Sequence, residues 1–563
     1  GTAGRRYLRV DCRGSGFQVP MSEYLFQYEK VDPVSWAYLA SLLLVGLFFK
    51  FNRFWSVRNL DLVLLILLAP GLLMVHEWQR QERVVLEEWN QDAELLKPAI
   101  DPASGEMSAR ARPLAEGTHL VVHQVNAEPV EPAEPLPAAE GDSVGAEETV
   151  DLPSADEIRN ERVGAFKAAL AEIRKTGFWG YAWLLIVCGL LLVRLLFDPT
   201  MVRRPLLEPN LSSGGLLFIG GSLFLFLMAN VVTSDNIAAS DLKGAQGARA
   251  LLERTDRSIP RQPTNDYSQL GPGYDALHLI PSIVTTPFAK SGDAPEQKMT
   301  AQIVVAKTMV ILAHLAVVVA MVLIGYLHFE NIKMGIGAAT IYLMLPYTAQ
   351  MTGHVMHVLP AALLLWAIVF YRRPILAGVL MGTAMSAFYY PFFLLPLWLS
   401  FYWQRGVMRF LSALLVSVAL MVLTLVFVSQ DMTSFLAKIQ SMFGFWFPKM
   451  APEQLRGIWE FGWDPIYRLP IIISCGIIAA SLILWPAQKN LGTLLSCTAA
   501  VMVAVQFWHA HGEGGGMYMA WFLPLTLLTI FRPNLEDRVA LSVLGDDWFT
   551  RRRARLALHQ RAA

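Results

Sequence analysis

Apolar runs close to the length of a bilayer's hydrocarbon core recur along almost the whole chain, and no soluble core absorbs that much of them. They fall at 34–51, 60–76, 178–197, 214–233, 301–327, 335–349, 357–371, 407–429, 466–486, 490–509 and 517–531, each near the roughly 20 residues that a spanning helix needs. One further run, 374–403, starts with Gly378 and Gly382, holds Pro391 and Pro396, and lies between Arg372/Arg373 and Arg405/Arg409. As one helix it would put the two basic clusters on opposite faces of a membrane. As a tight pair, 374–387 and 388–403, it keeps both on one side. The runs therefore predict an all-α, polytopic transmembrane bundle of about thirteen spans. Composition agrees, since 54% of the 563 residues are hydrophobic and only 16% charged, against about a quarter charged in soluble domains.

The loops set the orientation. Lys50/Arg53/Arg58, Arg203/Arg204, Lys333, Arg372/Arg373, Arg405/Arg409, Lys489 and Arg551-Arg552-Arg553 all fall on alternate connections, so the positive-inside rule makes that side cytoplasmic, with the N-terminus out and the C-terminus in. The long 77–177 loop then lies outside. It carries 21 acidic and 10 basic side chains between Glu77 and Lys175. Its two flanks, 77–96 and 155–175, are charge-rich and helix-compatible, whereas the middle, with EPVEPAEPLPAAEGD, reads as a disordered tether. His119 and His123 within it read as solvated histidines rather than a metal pair.

The chain thus divides into an N-terminal segment (1–33), two spans (34–76), the acidic outer loop (77–177), a third span with its cytoplasmic loop (178–213), a central module (214–465) with outer loops 234–300 and 430–465, C-terminal spans (466–531) and a basic tail (532–563). Met21 opens a more ordinary start than the polar residues before it, which reads as an over-extended translation start, and no apolar leader precedes the first span. Zero formal net charge makes nucleic acid an unlikely partner. Cys188, Cys475 and Cys497 lie inside apolar runs as small core residues, and with Cys12 they form neither a disulfide framework nor a CxxC knuckle.

Polar residues concentrate on the outer side. Asp235 and Asp241, in NVVTSDNIAASD, follow a span directly, where a partly buried carboxylate is placed to act as a general base on a hydroxyl, or simply to cap a helix. Lys307 and His314 share one face of the next span, and ionisable groups inside a span default to a functional reading because lipid exposure costs about 2.5 kcal/mol or more. Lys307 is a candidate for substrate phosphate. His354 and His357, three apart at a helix start, read as sugar-hydroxyl partners, metal ligands or packing residues. Lys449 and Arg456, in an aromatic segment suited to the headgroup region, are further phosphate candidates. His509, His511 and Glu513 precede three glycines and offer weak ligands for a divalent metal, with a flexible polar turn as the alternative.

From 214 to 465 the order of elements is a span, a long outer loop opening with Asp235, three further spans on short connections, a Pro-rich short pair, another span and a second outer loop. With GHVMHVLPAALLLWAIVFYRRPILAGVLMGTAMSAFYYPFFLLPLWL inside it, this block resembles the conserved module of the type C membrane glycosyltransferases, and in particular their bacterial polyprenyl-phosphate-mannose-using branch. The resemblance covers a little under half of the chain and rests on topology more than on residue strings. It implies inverting transfer of a sugar from a lipid-phosphate-linked donor to an envelope glycan, lipid or protein acceptor. The enzyme would sit in a bacterial inner membrane with its site facing outward and Asp235, or alternatively Asp241, as base. That branch often has a lysine on its Pro-containing helix; here the stretch reads Phe388-Tyr389-Tyr390-Pro391, which leaves Tyr389 and Tyr390 as the substrate-facing candidates.

Two other classes remain open on the sequence. A transporter or lipid flippase would show inverted repeats and midplane charges in interrupted helices, whereas the ionisable residues here sit towards the outer face. A non-catalytic scaffold, or a degenerate relative of the enzymes, would present the 77–177 loop to a partner.

Overall fold

A computed structural model describes residues 32–96, 155–201, 207–234, 239–254, 270–285, 295–404, 406–442, 455–509 and 517–533. Asp235, Lys449, His511, Glu513, His119, His123, the Met21 start, the tether and the basic tail from residue 534 onward lie outside the described residues. What is described is helical throughout, and its one extended pairing is an isolated antiparallel bridge between Leu270 and Phe388.

In chain order the helices are α1 (Pro33–Phe48), α2 (Val57–Ile66), α3 (Leu68–Leu96), α4 (Ala155–Phe197), α5 (Ser213–Thr233) and α6 (Ala239–Glu253). Then come α7 (Pro272–Thr285), α8 (Pro295–Leu327), α9 (Ile332–Met344), α10 (Pro346–Gln350), α11 (Val355–Val369) and α12 (Pro374–Ala387). The last six are α13 (Leu395–Tyr402), α14 (Val407–Thr424), α15 (Met432–Met442), α16 (Arg468–Ser481), α17 (Leu491–Gln506) and α18 (Leu523–Phe531). Starts follow local chemistry. Asp32, Ser56, Ser212 and Asn490 each accept a backbone N–H of the first turn they precede, and Asn490 with Thr493 closes a full capping box.

Among the described residues, five helical stretches are long and apolar enough to cross a membrane: Val57–Trp89, Arg162–Thr200, Ser213–Thr233, Thr300–Leu327 and Val407–Val428. Each remaining apolar run also carries a helix, but a shorter one. Breaks at Leu345, Phe388 and around Tyr518 shorten them, and Phe388 is extended where α12 ends. Outward faces are apolar, with Phe218 76% and Leu225 71% exposed on α5 and Leu420 57% on α14. Such surfaces mark a membrane protein, because lipid is the solvent that tolerates them.

The chain forms two compact units. Unit 2, Pro70–Trp183, is by itself a helical hairpin of the α3 and α4 segments. Its seam places Gly180 against Met74 and Val75, Trp78 against Tyr181 at 6.0 Å, and Trp89 stacked on Phe166 at 4.5 Å. The charge-rich flanks of the acidic loop thus continue the helices on either side of it.

Unit 1 holds residues up to Ala69 and from Leu184 onward. Its tightest packing joins α12 to α14. A Cβ on Gly378 would come within 2.4 Å of the Phe410 carbonyl oxygen, and one on Gly382 within 2.6 Å of that of Leu414, so small residues let the two backbones touch. The run 374–403 doubles back. Tyr402 donates to the Tyr371 carbonyl at 2.6 Å, and Gly406 lies against Pro374, so the ends of the run meet.

That end of unit 1 also holds a buried ion cluster. Arg194 forks onto both oxygens of Asp61 (2.7 and 3.0 Å) and reaches Asp198 at 2.9 Å; Arg532 bonds the other Asp198 oxygen; Arg58 donates to the Arg532 carbonyl at 2.8 Å. The cluster ties α2, α4 and the end of α18 together, and Arg532 also lies on Gly492 at the start of α17.

Candidate functional site

The opposite ends of these helices gather the candidate residues. Asp241 lies in the first turn of α6 and is 2% exposed. Helix α11 begins at His354, which makes no side-chain cap of its own, and Asp241 supplies one from across the bundle. Its Oδ1 accepts the Val355 N–H at 3.1 Å, and its Oδ2 lies 2.8 Å from His354 Nδ1. An ionised carboxylate only accepts, so Nδ1 carries the proton and Nε2 is left as the basic nitrogen. His354 retains 27% side-chain exposure. The carboxylate is buried and holds the backbone and the ring, and the imidazole is the partly exposed member of the pair.

One turn along, His357 lies 5.3 Å from His354 between ring centres. Its Nδ1 is hydrogen-bonded to the Tyr347 hydroxyl, which also lies 3.2 Å from the Met517 carbonyl. The carbonyl must take the single hydroxyl proton, so His357 donates through Nδ1 and its Nε2 is likewise the unprotonated nitrogen.

Aromatic rings extend the cluster. Tyr518 meets His357 edge-on at 4.2 Å and His509 at 4.7 Å, and stacks on Trp521 at 4.9 Å with 14° between planes. Tyr390 lies 5.0 Å from His509 and 5.1 Å from Trp521. The Trp521 indole donates to the Met356 carbonyl at 3.0 Å, which fixes that platform to the first turn of α11. Asp241, His354, His357, His509 and Tyr390, spread over 269 residues from 241 to 509, therefore form one continuous group. Tyr389 is at its edge, packed on Tyr390, Phe392 and Phe393.

The other expected residues sit elsewhere. Lys307 donates to the Val232 carbonyl at 2.8 Å, satisfying the end of α5 where a cation complements the helix dipole. His314 is buried between the Thr352 carbonyl and the Tyr342 hydroxyl, each at 3.1 Å, and so braces the turn that leads into His354. Arg456 pairs with Glu460 at 3.2 Å on the surface. Among the described residues no three of His, Cys, Asp and Glu come together as a metal-binding group, and His509 is packed among rings.

Several residues of the site had no sequence signal. Tyr347, Tyr518 and Trp521 read as core aromatics within apolar runs. Arg468, 1% exposed, aims Nε and Nη2 at the Trp508 carbonyl (3.2 and 3.0 Å) beside Tyr390. Tyr274 and His278 were hidden in a loop of mixed composition, although their spacing of four would put them on one helix face.

Chemically the group offers a buried carboxylate holding a histidine for proton transfer, a second oriented histidine, phenolic hydroxyls and flat aromatic surface, all at one end of an apolar bundle. No family model, no curated protein and no solved structure matches the chain.

Proposed function

We propose that the protein is an integral-membrane glycosyltransferase with thirteen spans, N-terminus out and C-terminus in. It moves a sugar from a polyprenyl-phosphate-linked donor to an extracytoplasmic acceptor, in the manner of the type C enzymes. The observation that carries the reading is the Asp241–His354 pair, which opens among hydroxyls and aromatic rings at the bundle end remote from the ion cluster. Support for the sidedness comes from the basic residues Lys50, Arg58, Lys489 and Arg532. They lie with the ion cluster or with chain ends that neighbour it, while the candidate site uses the other ends of the same helices.

In the proposed reaction His354 Nε2 takes the proton as the acceptor O–H bond breaks. The acceptor oxygen bonds to the anomeric carbon from the face opposite the donor phosphate, and the carbon–oxygen bond to phosphate breaks, so that polyprenyl phosphate leaves with the electron pair. Asp241 stabilises the imidazolium that forms, a role in which its charge matters and its own protonation does not. Asp235, a few residues before α6 and the base that the type C resemblance implies first, is the alternative to this pair. Tyr518, Trp521 and Tyr390 supply apolar ring faces, and the outer leaflet supplies the lipid tail of the donor.

The full-length protein in liposomes containing polyprenyl-phosphate-linked mannose labelled in the sugar is expected to release label into water or onto acceptor. Asp241→Asn and His354→Gln are expected to slow release by about 10²–10⁴-fold. Wild-type protein that releases no label, or variants that match wild type, would refute the proposal.

A further inference from the structure

Helix α7 carries two buried polar groups that the Asp241–His354 pair does not use. Tyr274 and His278 are both 0% exposed, and neither the Tyr274 hydroxyl nor His278 Nε2 has a hydrogen-bond partner among the described residues. Their rings lie 4.5 Å apart. His278 Nδ1 is 2.8 Å from the Tyr274 carbonyl. A carbonyl only accepts, so Nδ1 holds the proton and Nε2 of the neutral ring is an open acceptor. Burial keeps His278 down at about 4, hence uncharged near neutral pH. Burial first, and then the Asp241 carboxylate, pushes the Tyr274 phenol well up, so it keeps its proton and is an open donor. Native structures rarely leave such groups uncompensated.

Close packing fixes both residues in place. A Cβ on Gly244 would come within 2.4 Å of the His278 ring, so α6 holds Asp241 and leaves room for His278 on the same side. At the start of α7, a Cβ on Gly271 would come within 1.9 Å of the Ser386 carbonyl oxygen, and the Gly271 N–H instead donates to the Ala387 carbonyl at 2.9 Å. Tyr274 also meets Phe388 edge-on at 5.6 Å, and Phe388 touches Trp521 at 6.2 Å, which joins α7 to the wall of the candidate site.

We propose that Tyr274 and His278 form a hydroxyl-binding subsite beside Asp241, taking one O–H group that accepts from the Tyr274 phenol and donates to His278 Nε2. A carboxylate or a fully ionised phosphate has no proton for the histidine, and an ammonium has no lone pair for the phenol; a hydroxyl has both. The hydroxyl belongs either to an ordered water or to a sugar. The sugar assignment rests on the transferase reading above, and the subsite itself does not.

The test is a double-mutant cycle on the thermal unfolding midpoint of the full-length protein, in a detergent without a sugar headgroup. It is run with and without methyl α-D-mannopyranoside. Tyr274→Phe removes the donor, and His278→Asn keeps a donor near Nδ1 while removing Nε2. Each single variant is expected to lower the midpoint, and the double variant to lower it no further than the worse single one. Coupling without the sugar identifies a held water; coupling only with the sugar identifies a substrate hydroxyl. Additive effects, or a Tyr274→Phe midpoint at or above wild type, under both conditions overturn the subsite. Coupling in a protein that releases no sugar from the polyprenyl donor would leave the subsite standing and remove the transferase reading.

Discussion

The two ends of unit 1 bury charge in different ways. At one, Asp61 and Asp198 are enclosed by guanidinium groups from Arg194 and Arg532, so each carboxylate has a cation against it and the cluster is nearly sealed. At the other, the carboxylate of Asp241 meets, among the described residues, a helix N-terminus and an imidazole, and that imidazole is the more exposed member of the pair. The first arrangement cross-links helices. The second holds in place an imidazole whose side chain stays 27% exposed. Ionisable groups at membrane depth are therefore not equivalent evidence of chemistry, and the discriminating feature is whether the buried charge orients an accessible partner.

The largest expected effect separates the ends directly. Asp198→Ala strips Arg194 and Arg532 of a buried counter-ion and is expected to cost about 3–5 kcal/mol, seen as loss of monodisperse protein in detergent. A fully folded Asp198→Ala protein would break the comparison. Next is the pH dependence of the candidate-site end. His278 has a folded value of about 4, below its ordinary 6.5. The unfolded chain therefore takes up this proton first as pH falls. The contribution is intact above about 6.5 and is lost between about 6.5 and 4, amounting to roughly 3 kcal/mol. Unfolding midpoints measured across that window should fall for wild type and flatten for His278→Asn; parallel curves would contradict this.

Helix packing comes third. Gly382→Ala would press a methyl group onto the Leu414 backbone, and Gly247→Ala one onto the Asp275 carboxylate, where a Cβ would lie 2.1 Å away. Each is expected to cost about 1–3 kcal/mol by overpacking, and unfolding at the wild-type temperature would show the contacts to be looser. The smallest effect belongs to Arg456→Ala, whose surface pair with Glu460 is expected to contribute about 0–1 kcal/mol. A substantial loss of transfer in that variant, with the protein still folded, would move it into the site.

Apolar run length made the all-helical, membrane-type architecture legible. Pro391 and Pro396 pointed to the break that falls at Phe388, and the arginines on both sides of 374–403 pointed to the doubling back that Tyr402 and Tyr371 close. Run length also overstated individual helices, because Pro346 and the turn around Tyr518 interrupt stretches whose hydrophobicity is continuous. For the site, sequence singled out Asp241, His354, His357, Tyr390 and His509 without saying which would meet. Asp241 caps a helix 114 residues away through Val355, and such a pairing is set by how α6 packs, which periodicity does not encode. Lys307 illustrates the converse, since a lysine on a functional-looking face is held by the carbonyl end of its neighbour.

The pairing of Asp241 with His354 is tested most directly by measuring sugar release and thermal unfolding on the same Asp241→Asn preparation. The amide can still accept the Val355 N–H but brings no charge to His354. Release at least about 10²-fold below wild type, from a protein that unfolds within a few degrees of it, is the predicted result. Wild-type release, or unfolding as severe as that of Asp198→Ala, would show that Asp241 is a structural cap and that the chemistry lies elsewhere.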